Sequence, residues 1–166
     1  MSSTSITSFQ ALKLTCFLIL SVAGCTYDST TPLFDRLDAE RTGIFFENRA
    51  EGDSTFNILT YPYFYDGGGV AAGDVNRDGL IDLYFTANEG PNTLYMNQGN
   101  FRFVDVTEQA GVGGSAGWSK GVTMADVNAD GLLDIYVSNV EALTRQGRNE
   151  LFINNGDGTF SERAEE

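Results

Sequence analysis

One acidic stretch occurs twice in this chain, and its repetition constrains the fold more than any other feature. Gly73 to Phe85 reads GDVNRDGLIDLYF, and Ala125 to Val137 reads ADVNADGLLDIYV. In each, three Asp and an Asn crowd together and run at once into an apolar segment. Asp74 and Asp126 lie 52 residues apart. A second matching pair, LYMNQGNFRF from Leu94 and LFINNGDGTF from Leu151, lies 57 apart. The excess falls in the connection VEALTRQGR, where added loop length costs little. A repeat of this period points to an architecture that stacks one supersecondary unit on the next.

Each unit offers four short strands. GGGVAAGDV, DLYFTAN, NTLYMNQ and FRFVDVT are followed, in the same order, by SKGVTMADV, DIYVSNV, ELFINNG and GTFSERA. These runs are rich in β-branched and aromatic residues and are cut by Gly, Asn and Asp. The 19 glycines suit tight turns more than long helices. No segment shows a convincing helical period, and TEQAGV after Val106 makes one turn at most. Four strands in about 40 to 50 residues match a propeller blade. The fold expected is therefore all-β: a partial β-propeller with one four-stranded antiparallel blade over 68–107 and another over 119–164. GIFFENRAEG resembles FRFVDVTEQAG without the three strands that should precede it. Residues 43–50 are thus expected to form an orphan strand, of the kind that closes a ring by pairing with the last blade. A closed propeller takes roughly four to eight blades. Two blades and an orphan strand are expected to be a fragment of a longer protein; a small β-protein that dimerises through its open blades is the alternative.

The crowded acids make sense around a cation. Asp74, Asn76, Asp78, Gly79 and Asp82 follow the spacing Asp-x-Asn-x-Asp-Gly-x-x-Asp. Oxygen-bearing side chains at alternate positions of a curled loop can converge, Gly allows the sharp turn, Leu80 can offer its backbone carbonyl, and Asp82 can close the shell. Ca²⁺ takes about six to eight hard oxygen ligands. Asp126, Asn128, Asp130, Gly131, Leu132 and Asp134 repeat every element. Two Ca²⁺ ions in a structural role are expected. Mg²⁺ keeps more of its own water, and softer metals want Cys or His. An EF-hand needs an acid at position twelve and flanking helices, whereas that position holds Phe85 in one loop and Val137 in the other. The competing reading of either loop is a solvated Asp/Asn/Gly turn.

Charge and composition exclude several functions. The chain carries 23 Asp and Glu against 10 Lys and Arg, a net charge of −13, which argues against nucleic acid as a partner. It contains no His, so a Ser-His-Asp triad or a His-ligated zinc is beyond its means. At the N-terminus, Leu14 to Gly24 is an apolar run too short to span a bilayer and long enough for the core of a secretory signal. It ends in SVAGC, Ser21 to Cys25, which resembles a bacterial lipobox. That resemblance implies a signal peptide over 1–24, cleavage before Cys25, lipidation of Cys25, and a tether over 25–42. Several acyl chains give a stable membrane anchor where one does not. A plain signal peptide cut at an A-x-A-like site is the alternative.

The segments GGGVAAGDVNRDGLIDLYF, NTLYMNQGNFRFVDVTEQAGV, GWSKGVTMADVNADGLLDIYVSN and ELFINNGDGTF resemble those of bacterial VCBS/FG-GAP repeat proteins, in the group that also carries an ASPIC/UnbV-type domain and is similar to cartilage acidic protein. The resemblance runs from Gly43 to the end. It implies integrin-type FG-GAP blades with Ca²⁺ between their first two strands, and a surface lipoprotein of a Gram-negative bacterium. The function expected is a non-enzymatic module that binds a protein or glycan outside the cell. A calcium-dependent polysaccharide-active enzyme on a propeller scaffold and a blade-pairing assembly module are the alternatives. Fold alone does not choose among them. Trp118 and the aromatics Tyr61, Tyr63, Phe64 and Tyr65 are read as packing before sugar stacking. Asp66 and Glu89 form a catalytic pair only if the fold brings them together. The turn NNGDGTF is read as a strand connection.

Overall fold

The alternation of apolar residues in the two repeats folds into two four-stranded antiparallel sheets, each in simple sequential order. The computed structural model describes residues 33–115, 117–145 and 147–164. The signal segment, Cys25 and the first part of the tether lie outside the described residues. Of an N-terminal unit, Met1–Arg36, only the last residues are described, with Leu33 and Phe34 exposed. The fold proper is the unit Leu37–Glu166.

The first sheet comprises β1 (Val70–Gly73), β2 (Asp82–Phe85), β3 (Thr93–Asn97) and β4 (Phe103–Asp105). The second comprises β5 (Ser119–Ala125), β6 (Asp134–Asn139), β7 (Glu150–Asn154) and β8 (Phe160–Glu162). The registers repeat: Gly73 faces Asp82 as Ala125 faces Asp134, and Ala72 faces Leu83 as Met124 faces Ile135. The two four-stranded antiparallel sheets of the expected fold class are therefore present. Two single-turn helices complete the unit. One, α1 (Ala39–Thr42), falls at the end of the expected tether and ends on Gly43 in the left-handed region at φ 78°. The other, α2 (Thr107–Ala110), is the one turn expected after Val106.

Opposed residues on neighbouring strands share a face. In the first sheet Ala71, Tyr84 and Leu94 share one, and in the second Val122, Met124, Ile135, Val137 and Phe152 share one. These two faces meet in a single core with Ala110 and Val112. Strand β1 lies against β5. Small residues make the approach possible: a Cβ on Gly69 would stand 2.8 Å from the Lys120 carbonyl oxygen, and one on Gly73 would stand 2.7 Å from Leu133 Cδ1. The arrangement is that of adjacent propeller blades.

The expected orphan strand is a correction. Residues 43–50 form no strand; a single antiparallel bridge joins Arg49 to Glu89. No pairing with β8 occurs among the described residues. The segment lies instead on the face of the first sheet turned away from the second. Phe46 stacks on Phe85 with ring centroids 5.0 Å apart, and the Phe45 N–H donates to the Tyr95 hydroxyl at 3.2 Å. Asn48 and Asn88 exchange two hydrogen bonds, at 2.7 and 2.8 Å. The physical reason is burial: the segment covers the aromatic face presented by Phe85 and Tyr95 through side chains, without adding backbone pairs at a sheet edge.

Candidate metal centre: the paired acidic loops

Each acidic stretch forms the connection from the first strand to the second of its blade. In the first loop, the Asp74 carboxylate accepts the N–H of Asp78 at 3.1 Å and of Gly79 at 2.8 Å. Asn76 Oδ1 accepts the same Asp78 N–H at 3.0 Å, and Asp78 Oδ1 accepts the Leu80 N–H at 2.8 Å. Short side chains that bond their own backbone a few residues on make such turns favourable. Arg77 at φ 61° and Gly79 at φ 85° lie in the left-handed region that the curl requires.

The second loop repeats the first atom for atom. Asp126 accepts from Asp130 at 3.1 Å and Gly131 at 2.8 Å, Asn128 from Asp130 at 3.0 Å, and Asp130 from Leu132 at 2.7 Å. Ala129 has the φ of Arg77, 61°.

The closing acids differ from the others. Asp82 is fully buried and Asp134 is 1% exposed. Asp82 accepts the Val75 N–H at 3.0 Å and the Asn97 N–H at 2.8 Å. Asp134 accepts the Val127 N–H at 3.0 Å and the Asn154 N–H at 2.8 Å. Burial pushes the Asp82 carboxyl above its ordinary value; the two N–H groups pull it back, and the charges of Asp78 and Asp74 push it up again. Asp130, on the surface, is held below the ordinary range by the Leu132 N–H, the Asn128 amide and the nearby Arg77.

Among the described residues, no three His, Cys, Asp or Glu side chains are grouped so as to hold a metal ion. The structure thus brings each set of sequence-expected ligands into one loop, with the carboxylates turned onto backbone N–H groups instead of onto a common point. Leu80 and Leu132 are half-buried beside them. The donor chemistry fits a hard divalent cation. Every side-chain donor is an oxygen, and a buried carboxylate with two acidic neighbours closes the first loop. Oxygen donors of this kind suit a hard cation better than a soft one.

Sequence reasoning missed three residues that build this site. Asn97 and Asn154 donate their backbone N–H groups to the closing acids, and their side-chain amides tie neighbouring loop carbonyls. Asn97 Nδ2 bonds the Ile81 oxygen at 2.8 Å; Asn154 Nδ2 bonds Leu133 at 3.2 Å and, across the blades, Val75 at 2.8 Å. Their signal was an Asn at the same place in LYMNQG and LFINNG. Arg77 is the third. It leaves its own loop and donates to the Gly131 and Asp130 carbonyl oxygens of the other, at 3.0 and 3.1 Å.

The other flagged residues have structural partners. Phe56, Phe64 and Trp118 form a second buried cluster, with the Arg145 guanidinium 5.1 Å from the centre of the Phe56 ring and 5.6 Å from that of Trp118. Tyr61 packs on this cluster, while Tyr63 and Tyr65 are exposed. Glu89 accepts the Glu51 and Gly52 N–H groups and pairs with Arg145 at 3.6 Å, so its partners are structural. Asp157 accepts the N–H and hydroxyl of Thr159 within its turn.

Paired four-stranded blades, each with an acidic loop between its first two strands, define a propeller-type repeat module. Residues 74–137 match the family of FG-GAP-like repeats. The chain is also similar to cartilage acidic protein 1 of Mus musculus, 40% identical over 73 residues, which is 44% of this chain and 11% of that protein. It is 38% identical to cartilage acidic protein 1 of Homo sapiens over 76 residues, 45% of this chain and 12% of that one. The matched part thus spans about an eighth or less of the length of these relatives.

Proposed function

We propose that this chain is a calcium-ordered, non-enzymatic binding module, exported and anchored to a membrane through lipid on Cys25. In this reading one Ca²⁺ is held by Asp74, Asn76, Asp78, the Leu80 carbonyl and Asp82. A second is held by Asp126, Asn128, Asp130, the Leu132 carbonyl and Asp134. The ion supplies positive charge where acids crowd, and so orders the two connections on which the blades depend. The module presents its loops to a protein or glycan at the cell surface, the outer membrane of a Gram-negative bacterium being the setting that the lipobox resemblance implies.

The observation that carries the reading is the buried closing carboxylate, Asp82 and Asp134, found twice in the same frame of backbone donors. A thermal melt of the full chain, followed by circular dichroism in calcium and in excess chelator, tests it. Calcium should raise the melting temperature, by mass action on the folded state. Asp78→Ala with Asp130→Ala should remove that gain. A cooperative melt indifferent to chelator sinks the metal assignment and leaves the loops as acidic turns.

A further inference from the structure

We propose that Arg77, which belongs to the first acidic loop, is a positioning residue of the second, so that the two loops take up calcium as a linked pair. The inference rests on the calcium reading above and concerns how that site is regulated.

The geometry is specific. The Arg77 guanidinium lies over the second loop and donates through Nε to Gly131 O and through Nη2 to Asp130 O. These two carbonyls immediately precede Leu132, whose own carbonyl is the backbone ligand expected in that loop. Fixing the two peptide units before it restricts the directions in which it can point. Guanidinium suits this task, because its donors are held in a rigid planar fork. The second loop is built to receive it. A Cβ on Gly131 would collide with the Arg77 guanidinium, whereas Gly79, at the equivalent place in the first loop, faces open space.

The device runs in one direction along the chain. Ala129 occupies the place of Arg77 in the second loop, with the same φ, and has no side chain with which to reach onward. Arg77 therefore contributes nothing that its own loop requires, since the second loop makes the same turn with Ala. What it contributes is order in its neighbour. Any ion that stiffens the first loop holds Arg77 in place and lowers the entropy cost of ordering the second; by linkage the reverse holds equally. The positive charge of Arg77 opposes a nearby cation. The group is exposed, however, so solvent and salt screen that repulsion while the two directed hydrogen bonds remain.

Calcium titration calorimetry on the full chain tests the proposal. Arg77→Ala should weaken one of the two sites by roughly fivefold or more, within the usual range of site–site coupling. In an Asp130→Ala background, which leaves the first loop alone, Arg77→Ala should leave binding unchanged or slightly tighter. Arg77→Lys, a point charge without the planar fork, should fall between wild type and Ala. Gly131→Ala should reproduce the loss where Gly79→Ala does not reproduce it on the neighbouring site. The effect should persist at high salt. Two sites that bind calcium with the same affinities in Arg77→Ala as in wild type overturn the inference and leave the calcium reading standing; a second site that tightens in Arg77→Ala overturns it in favour of simple repulsion. Absence of calcium uptake by wild type overturns the underlying reading and the inference with it.

Discussion

Tyr84→Phe is the sharpest test of how the two blades meet. Tyr84 is fully buried, and its hydroxyl donates to the Val112 carbonyl oxygen at 2.5 Å, itself on a fully buried residue. Burial drives the phenol pKa far up, so the hydroxyl remains a neutral donor across the whole accessible range. Removing one oxygen leaves shape and apolar area almost unchanged but leaves the Val112 carbonyl unpaired. That costs about 1–3 kcal/mol. With an unfolding entropy of about 2.1 cal/mol/K per residue over about 130 residues, a 2 kcal/mol loss lowers Tm by about 7 °C. The repeat supplies its own control. Tyr136 stands at the equivalent position of the second blade and is 39% exposed, so Tyr136→Phe should change stability by less than about 0.5 kcal/mol. Urea denaturation of the full chain in calcium reads both. Equal effects of the two substitutions would refute the buried Tyr84–Val112 hydrogen bond as the source of the difference.

The remaining expectations follow the same logic. Asn154→Ala should cost about 2 kcal/mol, because its amide satisfies the buried Val75 carbonyl across the blades; Asn97→Ala, which loses local bonds to Ile81 and Gly99 but none across the blades, should cost less, about 1 kcal/mol, both by denaturation. Arg145→Ala should cost about 1–2 kcal/mol through lost contact with Phe56 and Trp118 and the lost Glu89 pair, with a shift in Trp118 fluorescence as the signature. In metal-free buffer the pH dependence should have a definite sign. The folded Asp82 carboxyl titrates above its unfolded value of 3.8, so its contribution is full below that value and is lost as pH rises through the folded pKa. Asp53, Asp130 and Asp157 are depressed, so their contributions are lost only as pH falls below 3.8. Tm should therefore fall as pH rises from about 4 toward neutrality, and calcium should flatten that slope; a flat profile without calcium would contradict the account of Asp82.

Much of this was legible because the chain states it twice. A loop of alternating acids followed by a short apolar run marks a turn and the strand after it, and two copies mark the four-stranded unit as a repeat. What was not legible is whatever the repeat does not contain. Residues 43–50 carry the apolar residues of a strand, but their placement depends on Phe85 and Tyr95, far along the chain, which offer a face to stack on. Residues 51–67 have no counterpart in the second unit. Their density of aromatics announced burial, yet the partner, Trp118 beneath Arg145, is a tertiary fact. Asn97 and Asn154 were visible as repeated letters in the expected runs NTLYMNQ and ELFINNG. Their role appears only when the third strand is seen to end beside the buried Asp of the second.

The departures from exact repetition carry a further meaning. Val75 is buried and Val127 is 54% exposed; Tyr84 is buried and Tyr136 is not; Gly79 faces open space and Gly131 faces Arg77. Each pair has the same sequence role and the same local geometry, so intrinsic propensity does not separate them. What separates them is a neighbour. The second blade covers Val75 and Tyr84 and satisfies the Val75 carbonyl through Asn154, while the first blade reaches forward to the second loop through Arg77. The acidic loops are therefore joints between blades as much as turns within them. Asn154→Ala, which leaves both sets of acids intact, should accordingly reduce the stability gained from calcium as well as the baseline stability. Additive effects of calcium and of this substitution on the unfolding free energy would show instead that the loops and the blade interface are independent.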